Sequence, residues 1–211
     1  MLLSGPIASP SLVRITSILL ALAGLLVLPS CWVESINGLS EEKLFGPADH
    51  DQRFDPAFLG TWEMTMEKCL LTLSVSPRGK AYEWQVTNSG DRCEDKGHVD
   101  YYEVGLFQLD DHQFLDLTAR SQDKCTMCLA IHWIFLVQKE KDSFVLTPID
   151  SDWLKNAEEQ KTVMLATVQD DTDTVTASPK ELKAFCRKYA DNKEAFKPIP
   201  GFTFKKNQSS A

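Results

Sequence analysis

The chain has 211 residues and a mass of 23.7 kDa, with 43% apolar and 25% charged residues, an ordinary globular composition that suits one domain. Thirty acidic against 22 basic residues give a net charge of −8 and a pI near 5.0. That balance argues against nucleic acid and against an anionic lipid surface as partner, since neither attracts such a chain.

Residues 1–30 read as a targeting segment. Ile15–Leu28 is uncharged and follows a single basic residue, Arg14. A run of that length is a signal-peptide core, whereas a bilayer span needs about 20 apolar residues. The run ends in Leu28-Pro29-Ser30-Cys31, which resembles a bacterial lipobox, with a small residue immediately before the cysteine. The resemblance implies cleavage before Cys31 and attachment of lipid to its thiol. It also implies an address in the bacterial cell envelope, at the outer membrane or the periplasmic face. An uncleaved anchor, or a secretory signal cut elsewhere, is the alternative; no A-x-A site follows the apolar run.

Residues 31–57 are polar, with Asn37-Gly38, Gly46-Pro47 and Asp55-Pro56 as turn signals, and read as a tether and lead-in. From Leu59 the pattern becomes period two, the mark of strands with one buried face. Trp62, Met64 and Met66 form one apolar row; Cys69, Leu71, Leu73 and Val75 form the next; Tyr82, Trp84 and Val86 form the third. Later runs are apolar on both faces: 99–109, 113–118, 130–138, 143–149 and 162–168. A short run at 174–177 leads into a helix. The expected fold is mainly β, an up-and-down antiparallel barrel of about eight strands over residues 58–177.

Two helices are expected. Ser151–Glu159 interrupts the strands and reads as a lid or plug. Ser178-Pro179-Lys180-Glu181 is a capping box with proline at the first helical position. The helix it opens carries Leu182, Phe185, Cys186 and Tyr189 on one stripe, suited to the outside or base of the barrel. Residues 178–211 read as this helix and a tail, whose last residues are expected to fray.

The connections alternate. Pro77-Arg78-Gly79, Asp110-Asp111 and Glu140-Lys141-Asp142 make one tight end. The join at Lys68/Cys69, the 88–97 and 120–128 loops and the inserted helix fall at the other, as in a barrel with one open mouth. Gly60-Thr61-Trp62 resembles the G-x-W signature of lipocalins and the wider calycin barrels. That likeness implies a basic residue covering Trp62, which no position in the sequence identifies; the T-D-Y signature is absent. The mature pattern also resembles a group of uncharacterised bacterial lipoproteins. Its features are Asn37-Gly38-Leu39, the Asp55–Trp62 entry, H-x-F-L-D-L at His112–Leu117, D-x-D-W-L at Asp150–Leu154 and L-x-A-F at Leu182–Phe185. These imply a fold and an address, and no activity.

Of six cysteines, Cys31 is assigned to lipid and Cys186 to the buried helix stripe as an inert thiol. Cys69, Cys93, Cys125 and Cys128 all fall at the loop-rich end. In an exported protein they read as two disulfides, in any of three pairings. A Cys₄ zinc site would need thiolates and usually two C-x₂-C pairs, of which one is present. A redox-active Cys125-Thr126-Met127-Cys128 is the other alternative, although such motifs open helices rather than precede strands. Asp170-Asp171-Thr172-Asp173 lacks the glycine and distal Glu of a calcium loop. No G-x-S-x-G, P-loop, Rossmann or H-E-x-x-H pattern occurs, so no enzyme activity, cofactor or metal is assigned.

The lumen is the remaining place for function. Trp62, Met64, Tyr82 and Trp84 are its expected lining. His132, in phase with Cys128 and Ala130, is expected near the mouth, with Trp153 on the inserted helix. Eight strands enclose either packed side chains or one small ligand. Two functions follow: an anchored binding protein for a small apolar or amphipathic molecule, or a filled barrel acting as a structural or protein-interaction module.

Overall fold

A computed structural model describes residues 33–40, 49–66, 69–89, 93, 96–120, 130–168, 174–199 and 202–207. Period-two patterning produces strands β1 (Gln52–Arg53), β2 (Gly60–Met66), β3 (Cys69–Arg78), β4 (Ala81–Ser89), β5 (Val99–Leu109), β6 (His112–Ala119), β7 (His132–Lys139) and β8 (Ser143–Pro148). Helix α1 (Ser151–Glu159), β9 (Thr167–Val168), β10 (Thr174–Val175), helix α2 (Pro179–Tyr189) and β11 (Thr203–Lys206) follow. Neither helix is long or apolar enough to cross a membrane.

Strands β2 to β8 pair in sequence, all antiparallel, and β11 joins β8 to β2. The result is a closed eight-stranded barrel. Strand β1 adds to β5 beyond the stretch that β4 covers, with Gln52 opposite Phe107. The three tight turns lie at one end, as their composition implied; Gly79 and Asp110 take positive φ there.

The closing strand corrects the expectation from sequence. Of 162–168, only Thr167–Val168 is a strand, paired with β10 in a separate two-stranded ladder. The eighth barrel strand comes from the tail expected to fray, so the barrel does not end at 177. Phe204 is the reason: it points inward at 5% exposure and stacks on Phe144 with ring centroids 4.9 Å apart. Lys205 on the opposite face pairs in register with Glu63. A four-residue run containing two lysines is too short to display its period.

Two apolar cores result. The inner one fills the barrel, with Trp62, Leu73, Tyr82, Trp84, Leu106 and Phe144 at its centre. The outer one lies between the outward faces of β5, β6 and β7 (Phe107, Phe114, Ile134, Leu136) and the two helices. The capping box at Ser178/Glu181 forms, and Leu182, Phe185 and Cys186 are buried in this outer core. Helix α1 buries Leu154 and Ala157 there too. It is therefore a wall of the outer core, not a lid or plug.

The lead-in is also structured where it is described. Ser35 exchanges backbone hydrogen bonds with His132, at 3.0 and 2.8 Å, and Val33 and Leu39 are buried in the outer core. Asp49 and Asp51 meet Lys183 of α2 at 2.6 and 3.0 Å. Residues 33–40 and 49–53 are thus part of the domain rather than a tether. Short polar segments held by backbone bridges leave no periodicity to read.

Candidate functional site

The tight end of the barrel is sealed. Asp55 caps a 3-10 turn, Pro56–Phe58, by accepting from the Ala57 amide, and this turn drives Phe58 into the lumen. The Trp62 indole N–H donates to the Phe58 carbonyl at 2.8 Å. Lys206 lies over the Trp62 ring, 5.3 Å from its centroid, and supplies the covering cation that the sequence left unplaced. Tyr82 accepts from the Asp55 amide at 2.7 Å and donates to its carbonyl at 3.1 Å. Burial pushes the Tyr82 hydroxyl up to about 12, so it stays a neutral donor.

Above this seal the lumen is packed. Trp62 meets Phe144 edge-on at 4.8 Å, and Trp84 reaches across to Phe144 and Phe204 at 6.2 and 6.5 Å. Tyr82 and Leu106 have no exposed surface, Trp62 has 1% and Trp84 2%. Four of the expected lumen residues, Trp62, Met64, Tyr82 and Trp84, therefore do face inward and are buried in the inner core. Among the described residues the Trp84 indole N–H has no hydrogen-bond partner, a costly state for a buried donor.

The upper half is different. Register places Leu71, Val86, Tyr102 and Trp133 on the inward face, one or two rows nearer the mouth than Leu73, Trp84, Val104 and Phe135. All four pack on the inner core yet remain only half-buried. Tyr102 and Trp133 meet edge-on at 6.2 Å. Burial, with the Asp100 charge beside it, raises the Tyr102 hydroxyl pKa. These four side chains thus form a half-buried apolar layer of the inner core toward the loop-rich end, next to the buried Trp84.

One disulfide braces this rim. Cys69, the first residue of β3, joins Cys93 in the β4–β5 connection. Cys125 and Cys128 lie outside the described residues. Cys186 is free and fully buried, as its place on the helix stripe implied, and burial pushes its thiol pKa far up. Among the described residues no group of three or more His, Cys, Asp or Glu side chains could hold a metal ion.

His132 and Trp153 do not line the lumen. Alternation along β7 sends Trp133, Phe135 and Val137 inward and His132, Ile134 and Leu136 outward. Both faces of β7 are apolar, so its alternation carries no phase in the sequence. Trp153 packs against Tyr189 and Phe185 in the outer core, at 5.1 and 6.2 Å. His132 instead meets Asp116, which is completely buried: Nδ1 to Oδ1 is 2.7 Å. The other oxygen, Oδ2, accepts from the Leu39 amide at 2.7 Å. Burial opposes protonation of His132, but the hydrogen bond and charge of Asp116 outweigh it and raise its pKa. Asp116 is what reading for function missed. Its signal was a charged residue inside an apolar strand, Phe114-Leu115-Asp116-Leu117.

Compared with known proteins, the chain matches no family model, no curated protein and no solved structure.

Proposed function

We propose that the protein is a non-catalytic binding protein of the bacterial envelope, anchored through lipid on Cys31, that takes the apolar end of a small amphipathic molecule at the barrel mouth. The observation that carries this reading is the layer of half-buried, inward-facing Leu71, Val86, Tyr102 and Trp133 above a packed lower lumen. Aromatic and aliphatic side chains with a few polar groups beside them are the usual lining of a ligand site. The Tyr102 hydroxyl and Asp100, which shares the inward register with Val86, supply polarity for a head group. A packed lower lumen leaves no room for a deep ligand, so the site is shallow and selects a chain end or a ring.

The packed floor also supports a second reading, a filled barrel whose mouth binds another protein. A native mass spectrum of the full chain, extracted gently from bacterial membranes, separates the two. An organic adduct that disappears in Trp133→Ala supports the small-molecule site. A bare chain, or an adduct indifferent to Trp133, overturns it in favour of the filled module.

A further inference from the structure

A lipid on Cys31 would tie the bilayer to a point two residues before Val33. This inference rests on the lipid attachment proposed for Cys31. Val33 is 6% exposed and belongs to the outer core, and Ser35 is bridged both to His132 of β7 and to Val175 of β10. Only Trp32 separates Cys31 from Val33. Two peptide steps span at most ~7 Å. A lipid on Cys31 therefore has no leash, and the part of the domain around Val33 must stay within about one headgroup layer of the bilayer.

The ladder beside this segment carries an exposed apolar side chain. The Ser35 segment pairs with β10, and β10 pairs with β9, so Val168 lies two strand spacings, ~10 Å, from the anchor segment. Val168 is 51% exposed and Met164, four residues earlier, is 93% exposed. The only other large apolar side chain so exposed among the described residues is Phe54, at 38%. Beside Met164 runs a groove of about 330 Å³, lined by Leu165, Phe185 and Tyr189, with Lys161, Lys188 and Glu181 as its charged residues. Apolar groups flanked by lysines suit the interfacial layer, where the stems bury and the ammonium groups reach phosphates.

We infer that the flank around the Ser35–β10–β9 ladder, with its exposed Val168 and Met164, lies against the membrane. With a net charge of −8 the chain gains nothing from anionic lipid as a whole, so the partner surface is a zwitterionic leaflet. The barrel then lies with this flank on the bilayer and does not stand off on a stalk. Val33 sits at the level of Ile134, the third residue of β7 from the mouth end. That places the mouth, rather than the tight end, nearer to the lipid.

Oxidation of Met164 tests this in the full, acylated chain. The chain is reconstituted in phosphatidylcholine vesicles beside a variant with about 20 Gly/Ser residues inserted between Trp32 and Val33, a coil of roughly 25 Å. Peroxide converts an exposed Met thioether to its sulfoxide, the thioether being oxidised and peroxide reduced to water. The expected result is several-fold slower oxidation of Met164 in the natural chain than in the spacer variant. The 3% exposed Met64 should stay unreactive in both. Equal Met164 rates in two chains whose intact masses show acylated Cys31 would overturn the inference. Absence of the acyl mass would instead overturn the anchor on which it rests.

Discussion

Asp116 and His132 meet at 2.7 Å on the outer wall of the barrel, directly beneath Gly38. The pair holds the N-terminal segment down: one carboxylate oxygen takes the imidazole, the other the Leu39 amide. Asn37 reinforces it by donating from its side-chain amide to the carbonyls of Thr176 and Ala177. Asn37-Gly38-Leu39 and His112–Leu117, which read in the sequence as two separate features of one resemblance, are thus halves of one contact.

Replacing Asp116 by Ala should cost about 3 kcal/mol, the low end for breaking a buried pair, because His132 can shed its proton. The Leu39 amide would still be stranded. A denaturant melt gives the loss, and amide exchange should rise first in residues 33–39.

The same pair predicts a pH dependence. Because the folded pKa of His132 is raised, its contribution is complete below about pH 6.5 and is lost as pH climbs through the raised value. The melting-temperature advantage of the natural chain over Asp116→Asn should therefore shrink as the pH rises above about 6.5. An advantage that grows with rising pH would mean the pair is not held as an imidazolium and a carboxylate.

Gly38→Ala should be destabilising by about 1–3 kcal/mol through overpacking. A Cβ there would collide with Asp116 Oδ2 and sit 2.7 Å from His132 Nδ1. Phe204→Ala should cost about 3–5 kcal/mol, since Phe204 stacks on Phe144 in the closing strand. If 203–206 were a frayed tail, thermal denaturation would not register the change.

Breaking Cys69–Cys93 by a double serine replacement should cost about 2–4 kcal/mol and leave the barrel folded, since β3 remains paired along both edges. Far-ultraviolet circular dichroism with a denaturant melt reads both.

The barrel was legible because Trp62/Met64, Leu71/Leu73/Val75 and Tyr82/Trp84/Val86 alternate strictly and the turns between strands are short. The C-terminal helix was legible from Ser178-Pro179 and its stripe. Two things were hidden. Strands β5, β6 and β7 are covered on both sides, inside by the lumen and outside by the helices, so their apolar pattern has no phase; His132 was assigned to the wrong face for that reason. Strand β11 follows 13 residues of connection after α2 and pairs entirely with distant strands, a relationship that exists only once the barrel closes. The half-buried layer toward the mouth was partly readable, since Leu71 and Val86 continue rows already recognised, whereas Tyr102 and Trp133 lie on the strands without phase.

Methyl NMR of the chain titrated with a twelve-carbon fatty acid tests most directly whether an apolar site lies above a filled lower lumen. Saturable shifts are expected at the methyl groups of Leu71 and Val86, with those of Val104 and Leu106, fully buried in the lower lumen, unmoved. Shifts centred on Val104 and Leu106, or none at Leu71 and Val86 at any ligand concentration, would contradict it.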